Sequence, residues 1–582
     1  MDKKRIAEIL DEMGTLLELK GENLFRSRAF HNASQIISGV TEDLLTLVKS
    51  QSLTEIKGIG SGLAGIITDL VTTGVSKQHE ELRSSIPKGV LELLHLQGLG
   101  PKKVKILYEK MNIKSLAELK KACEQKLLRP IEGFGAKTEE NILKSIAQRE
   151  RSSDKHLYPQ ALESAEKIVR MLKDIKGIKR CDYAGSLRRR KEIVGDIDIL
   201  VSTADKSRLE ILKKFTTYEE VESVLATGDT KTSVILKNGI QCDLRVVKDE
   251  EYPFALNYFT GSKDHNVEVR SLARKYGWSL NEYGFTHIEG IKSSRKNIRI
   301  PSCDNEEDIY EALGLHYIPP ELREKTGEIE YAQKHVIPKL IEPSDLRGTF
   351  HCHTTDSDGL STLEQMVEAA KKLKWEYLGI ADHSQAAAYA GGLSPEKIHA
   401  QMKQIDRMNE KDSDFRVFKG TECDILSDGS MDYSDKLLSE FDYVVASIHS
   451  KFKMTEDEAT KRIIKALKNK YVTILGHPTG RLLIEREGYP VNMNEIINVA
   501  ADYGKAIEIN SHPMRLDLDW RYVKYAKEKG VRIFINPDAH HVDGLNDVQY
   551  GVGIARKGWL EAKDVVNTWT LKEVIKYLKT NE

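Results

Sequence analysis

Between Gly348 and His541 one local pattern recurs: a short run of β-branched, aromatic or small apolar residues ends on a histidine or an acid. It reads GTFHCHTTDSDG, LGIADHS, FKGTECDI, VVASIHS, TILGHP and FINPDAHH. The polar residues are His351, His353, Asp358, His383, Glu422, His449, His477, Asp538 and His540. Packing alone does not select such a set. Groups placed where strands hand over to loops are what a multinuclear hydrolytic centre at the C-terminal mouth of a (β/α) barrel requires.

His351 and His353 lie two apart, so on a strand both imidazoles share a face while Cys352 points the other way. Imidazole and carboxylate donors suit zinc, manganese and iron, and nine donors exceed what one ion takes. Two or three ions sharing bridging carboxylates are expected. Scattered core histidines are the plainer alternative.

At 582 residues the chain exceeds a single core. Charged residues make up 30% and mean hydropathy is −0.44, and no apolar run approaches the roughly 20 residues a membrane span needs. The opening segment has helical apolar spacing through Ile6, Ile9, Leu10, Met13, Leu16 and Leu17, and carries acids where a signal sequence would not. A cytoplasmic protein is expected. Six dispersed cysteines without a CxxC disfavour a disulfide framework and a thiolate zinc site. The first 300 residues hold 51 Lys and Arg against 42 Asp and Glu, and the rest 37 against 47. A basic front suits a polyanionic partner, and an acidic back one that collects cations.

Residues 1 to about 150 read as helices joined by Gly-containing turns. IKGIGSGLAGII, LQGLGPKKVKIL and IEGFGAKTEENIL each place Gly-hydrophobic-Gly before an apolar-periodic helix, a helix-hairpin-helix signature. Glycines permit the tight hairpin, and the following helix offers free N–H groups and its positive end to a phosphate. Such contacts are independent of base sequence. A bare GxG between helices is usually a turn; three copies and the lysines Lys102, Lys103 and Lys137 favour nucleic-acid backbone.

A second constellation lies in AGSLRRRKEIVGDIDIL. Asp196 and Asp198 share a strand face, and Asp243 in IQCDLRVV is the natural third carboxylate for two hard cations. Cations so placed clamp the attacking oxygen and leaving pyrophosphate of a phosphoryl transfer. The plainer alternative is a solvated acidic turn.

GSLRRRKEIVGDIDIL with YFTGSKDHNVEVRSLA resembles the palm and thumb of family X DNA polymerases, within the nucleotidyltransferase superfamily. GENLFRSRAF and the hairpin segments resemble that family's N-terminal region, and the series His351 to His540 resembles the polymerase and histidinol phosphatase (PHP) domain, a distorted (β/α)7 barrel. The order is that of bacterial and archaeal members with an appended PHP exonuclease. The resemblance implies Asp196, Asp198 and Asp243 as catalytic, metal-binding aspartates for magnesium or manganese. It places Gly185, Ser186 and Arg189 at the triphosphate, Gly195 in the nucleotide site, Tyr258, Phe259 and Gly261 at the sugar and Asn266 at the base edge. The nine barrel residues would bind manganese or zinc and remove 3′-terminal nucleotides, with abasic-site cleavage compatible. DNA contacts fall to Arg26 and Arg28, at a 5′-phosphate, and to Gly58, Gly60, Gly98, Gly100, Lys102, Gly133 and Gly135.

The implied organisation is an end-binding helical domain (1–85), a fingers-like helical region (86–152), a palm (153–250), a thumb (251–318), a Pro- and Glu-rich linker (319–343) and a PHP domain (344–582). A monomer acting on gapped or nicked duplex DNA and dNTPs is expected, in base excision repair. Two departures stand out. The helix at Gly62 to Ile66 lacks the lysine that forms a Schiff base in DNA polymerase beta, which argues against a lyase of that kind. His512 stands where Asn is expected. A DNA-tethered small-molecule metallophosphoesterase and a non-catalytic scaffold are the competing readings. The palm aspartates count against the first and the full ligand sets against the second.

Overall fold

The computed structural model describes residues 3–39, 44–94, 96, 99–131, 133–152, 155–203, 207–228, 231–288 and 299–580. The chain forms two compact units, Met1–Ser153 and Asp154–Glu582. No helix among the described residues is long and apolar enough to cross a membrane.

The first unit is helical. Helix Lys3–Lys20 buries Ile6, Ile9, Leu10, Met13, Leu16 and Leu17, the i, i+3, i+4 stripe that binds it to the rest of the unit. Helices Ser61–Thr73 and Pro101–Met111 begin directly after Gly60 and Gly100, whose extended backbone caps them without a side-chain acceptor. A third, Ala136–Ser152, follows Gly135.

After the helix Tyr158–Lys173, the second unit holds a five-stranded sheet of β1 (Ile178–Tyr183), β2 (Asp196–Thr203), β3 (Val221–Thr227), β4 (Lys231–Leu236) and β5 (Gln241–Val247), in the order β1-β2-β5-β4-β3. β2 and β5 pair in parallel with Asp198 opposite Asp243. Helices Tyr252–Thr260 and Lys263–Lys275 and the hairpin of β6 (Trp278–Asn281) and β7 (Gly284–His287) share a core with helix Glu306–Ala312.

Residues 319–343, read from the sequence as a linker, are packed. They carry a 3-10 turn at Pro320–Leu322 and a helix at Glu328–Gln333, and Arg323 is fully buried against Glu306. The weak apolar periodicity has a physical cause: this segment docks through buried ion pairs more than through an apolar stripe.

The last part is a seven-stranded parallel sheet in chain order: β8 (Gly348–Thr349), β9 (Tyr377–Ile380), β10 (Arg416–Asp424), β11 (Tyr443–Ser447), β12 (Ile474–Leu475), β13 (Ala506–Asn510) and β14 (Ile533–Asn536). It closes through the chain just beyond its first and last strands, where Cys352 bridges Ala539 in parallel and the His353 N–H donates to the Ala539 carbonyl at 2.9 Å. Six strands, and Phe350 just beyond β8, send a residue to one inner cluster: Phe350, Tyr377, Phe418, Tyr443, Ile474, Ala506 and Phe534. This is the (β/α)7 barrel expected, its centre filled with aromatic rings.

Candidate active sites

The nine barrel residues converge around Glu422. Its Oε1 lies 2.8 Å from His477 Nε2, 3.1 Å from His449 Nε2 and 3.4 Å from His351 Nε2; its Oε2 lies 3.0 Å from His383 Nδ1 and 3.7 Å from His353 Nε2. Three overlapping sets have donor atoms within 4.8 Å of one another: His353, Asp358, His383 and His540; His351, His353 and Asp538; and His383, Glu422 and His449. Cys352 faces the opposite way, into an apolar cluster with Leu363 and Met366. Two of the residues, His477 and Asp538, adopt positive φ (22° and 53°), a local strain of the kind held at functional sites.

The donors fit divalent metals. His353 Nδ1 and His477 Nδ1 are buried without a hydrogen-bond partner, which is costly unless something is to be bound there. Burial works against charging His449 and His540, yet Glu422 and Asp424 hold the first up at about 10, and Asp358 and Asp538 the second at about 9. Burial is likewise overcome by the histidines around Glu422 and Asp538, which keep both carboxyls well below the usual range. Burial, with His540 and His383 beside it, pulls His353 down to about 3, and burial with Arg515 lowers His477, so the cluster sets neutral and charged imidazoles side by side around its carboxylates.

The sequence reading missed the groups that orient these donors. Glu508, fully buried in β13, accepts from His351 Nδ1 at 2.7 Å, from the His477 N–H at 3.1 Å and from the amides of Asn510 and Asn536 at 3.0 and 2.9 Å. Asp424 lies 3.2 Å from His449 Nδ1. A carboxylate behind each imidazole leaves the opposite nitrogen facing inward. The available signal was an acid flanked by isoleucines in a strand, AIEIN. His512 lies outside all three donor sets, its Nδ1 accepting from the Met514 N–H at 3.3 Å.

Asp196, Asp198 and Asp243 also lie within 4.8 Å of one another. Burial and the two neighbouring carboxylates push Asp198 up to about 6, and burial and Asp243 raise Asp196. Burial would raise Asp243 too, but hydrogen bonds from Lys231, Ser233 and Gln241 hold it below the ordinary value. The Lys231 ammonium sits directly on Asp243, a cation already drawn into the triad. Such a set favours hard divalent ions.

Gly185 stands at the foot of this cluster with φ +64°, and a Cβ there would lie 2.4 Å from Asp198 Oδ2. Backbone conformation and space both demand glycine. Ser186 follows in the short helix Gly185–Arg188, and Gly195 is exposed immediately before β2.

Arg189 departs from its expected place at a triphosphate. It is 9% exposed, its Nε bonds Glu324 at 3.0 Å and its Nη1 the Thr260 carbonyl at 2.7 Å. Arg188 pairs with Glu306 at 2.6 Å and Arg190 with Glu321 at 3.2 Å. The basic run turns inward because the acids of 306–324 need buried partners.

Tyr258 and Phe259 meet edge to face at 5.2 Å, and Arg245 lies over Phe259 at 4.2 Å. Asn266 donates its amide to the carbonyls of Tyr258 (2.7 Å) and Gly261 (3.2 Å), bracing the turn around Gly261.

In the first unit Gly58, Gly60, Gly100, Gly133 and Gly135 are exposed; Gly98 lies outside the described residues. A Cβ on Gly60, Gly100, Gly133 or Gly135 would meet nothing within 4 Å, so these turns face open space. Lys102 and Arg28 are exposed, and Arg26 pairs with Glu22 at 2.8 Å.

Residues 1–76 match the helix-hairpin-helix domain family, 90–148 the SAM-like helix-hairpin-helix tandem, 255–324 the DNA polymerase beta thumb and 349–512 the PHP domain. A Bacillus subtilis (strain 168) protein named DNA polymerase/3'-5' exonuclease PolX is 38% identical over 584 residues, covering 100% of both chains. Probable phosphatases of Thermoanaerobacter sp. (strain X514) and Caldanaerobacter subterraneus subsp. tengcongensis are 29% and 30% identical over 39% and 33% of this chain and 93% and 74% of their own. Helical hairpins, a polymerase beta-type thumb, a metal-ready barrel and a full-length relative thus agree, and the chain belongs to the family X DNA polymerases that carry a C-terminal PHP domain.

Proposed function

We propose that this chain is a DNA-directed DNA polymerase that fills short gaps in DNA repair, with a metal-dependent 3′-5′ exonuclease in its PHP barrel. The observation that carries the reading is the presence of both cation-type clusters, the three aspartates and the barrel set, in one chain. The PHP-only relatives named phosphatases agree with phosphoester chemistry in the barrel but leave the aspartates unexplained.

Magnesium or manganese held by Asp196, Asp198 and Asp243, and two or three manganese or zinc ions held by the barrel donors, would supply charge neutralisation at phosphorus and make water more acidic. The rest falls to side chains. Asp196, Asp198 and Asp243 gather negative charge on one sheet face, where a primer terminus and an incoming dNTP are to meet. Gly185 and Ser186 bring the backbone against Asp198 on the triphosphate side. Tyr258, Phe259 and Gly261 form the sugar side, held by Asn266. In the barrel, Glu508 and Asp424 fix the tautomers of His351 and His449, and Glu422 joins two groups of histidines through separate oxygens. The helix starts at Gly60, Gly100 and Gly135 offer N–H groups to the phosphates of gapped or nicked duplex, and the chain acts as a monomer.

The test is a labelled one-nucleotide-gapped duplex with magnesium or manganese, with and without dNTPs. Asp196→Ala with Asp198→Ala should abolish extension and spare 3′ shortening; His351→Ala with His353→Ala should do the reverse. A wild-type chain that binds the duplex but neither extends nor shortens it would overturn the reading.

A further inference from the structure

The loop between His383 and Leu393 at the barrel mouth is tied down along its length. Ser384 bridges Leu393, the Leu393 N–H donates to the His383 carbonyl at 2.9 Å, the Ser384 N–H to the Glu422 carbonyl at 2.9 Å and the Ala386 N–H to Asp432 at 2.7 Å. Ala387 and Ala390 are buried beneath it, and a Cβ on Gly392 would strike the Ser384 carbonyl at 2.0 Å. From this fixed support Tyr389 projects with 73% of its surface exposed, its ring 6.3 Å from that of His383. An ordered loop that holds a large ring in water beside a metal-ready cluster gains nothing in packing from that ring.

The surroundings narrow what the ring meets. Leu360, 39% exposed, rises from the neighbouring loop, which is held by its N–H on the His540 carbonyl; a Cβ on Gly391 would touch Ser357 in that loop at 3.4 Å. Two apolar side chains therefore rim the His383, Asp358 and His540 side of the cluster. Arg515 lies at Asp538, Nε to Oδ2 3.4 Å, and brings positive charge to the same mouth. An aromatic face, an apolar shoulder and a cation around a phosphoester site match a nucleotide whose base is unstacked from its strand. Every base offers a π-face, so such a platform is indifferent to sequence.

Resting on the exonuclease reading above, we propose that Tyr389 is the residue that receives the 3′-terminal base, stacking on it so that the last phosphodiester lies over the barrel cluster. Tyr389 is a positioning residue here, acting on binding of the terminus and not on the chemical step.

The test uses the full chain as wild type, Tyr389→Ala and Tyr389→Phe. A single-stranded oligonucleotide ending in 2-aminopurine is titrated without metal and its fluorescence followed; 3′ shortening of a labelled oligonucleotide and hydrolysis of bis(p-nitrophenyl) phosphate are measured with manganese. Stacking predicts quenching by wild type and Tyr389→Phe that is lost in Tyr389→Ala. It also predicts an oligonucleotide KM raised about tenfold or more in Tyr389→Ala with kcat changed far less, restored by Tyr389→Phe. Undiminished quenching by Tyr389→Ala, a Phe variant as weak as Ala, or an equal rise in KM for the small diester would overturn the proposal. A wild type that quenches but shortens no 3′ end would overturn the exonuclease reading instead, so the two failures are distinguishable.

Discussion

Nδ1 of His351 and Oε2 of Glu508 lie 2.7 Å apart, with both side chains fully buried. The pair fixes which nitrogen of His351 faces the other barrel donors. Glu508→Gln should lower manganese affinity of the barrel by about 10- to 100-fold, the usual cost of losing a carboxylate behind a metal-ligating imidazole. Metal titration of 3′ shortening, with gap filling followed in parallel, checks this; an unchanged manganese dependence would sink the assigned role.

Gly185→Ala should abolish gap filling and leave 3′ shortening intact. The new methyl group would collide with Asp198, and its backbone would carry a φ that disfavours any side chain by about 1 kcal/mol or more. Single-turnover insertion assays on gapped duplex test it.

Asp198, raised to about 6 by burial and by Asp196 and Asp243, binds its proton more tightly in the folded chain than in the unfolded one. The stability this confers is complete below the ordinary carboxyl value near 4 and is lost as pH rises through about 6. Metal-free wild type should therefore gain thermal stability between pH 7.5 and pH 5 relative to Asp198→Asn. Melting curves of the two proteins across that range would show parallel pH profiles if the prediction is wrong.

Lys557 is buried, with its ammonium donating to Glu324 at 2.9 Å and to the Arg189 carbonyl at 3.0 Å. Lys557→Met leaves Glu324 with Arg189 at 3.0 Å and Lys191 at 4.0 Å, and should cost about 1.5–3 kcal/mol, the range for losing a buried hydrogen bond to a charged group. Because Arg189 is four residues beyond Gly185, gap filling should weaken together with stability. Chemical denaturation and insertion kinetics measure the two effects.

The clustering of both donor sets could be read from the chain because each candidate donor stands at the end of its own apolar run, and strand alternation tells which neighbours share a face. His351 and His353 against Cys352 and the triad of aspartates are of this kind. Arg188 to Arg190 were illegible for the opposite reason. Three consecutive charges look like a phosphate grip unless their partners are known, and Glu306, Glu321 and Glu324 lie more than 100 residues away. The same acids made residues 319–343 look like a linker. Glu508 escaped because an acid in a strand has no meaning until the histidine it serves, 157 positions earlier, is placed beside it. Tyr389 was hidden in a loop of small residues whose rigidity exists only in three dimensions.

The barrel closes where Cys352 meets Ala539, and that seam brings His351 and His353 beside Asp538 and His540. A nascent chain leaving the ribosome completes its polymerase sheet at Val247, some 290 residues before that seam can form. The nuclease is thus armed last. A chain cut short between the thumb and the final strand would lack Asp538 and His540, two of the nine barrel donors, and would also lack Lys557, the buried cation behind Arg189.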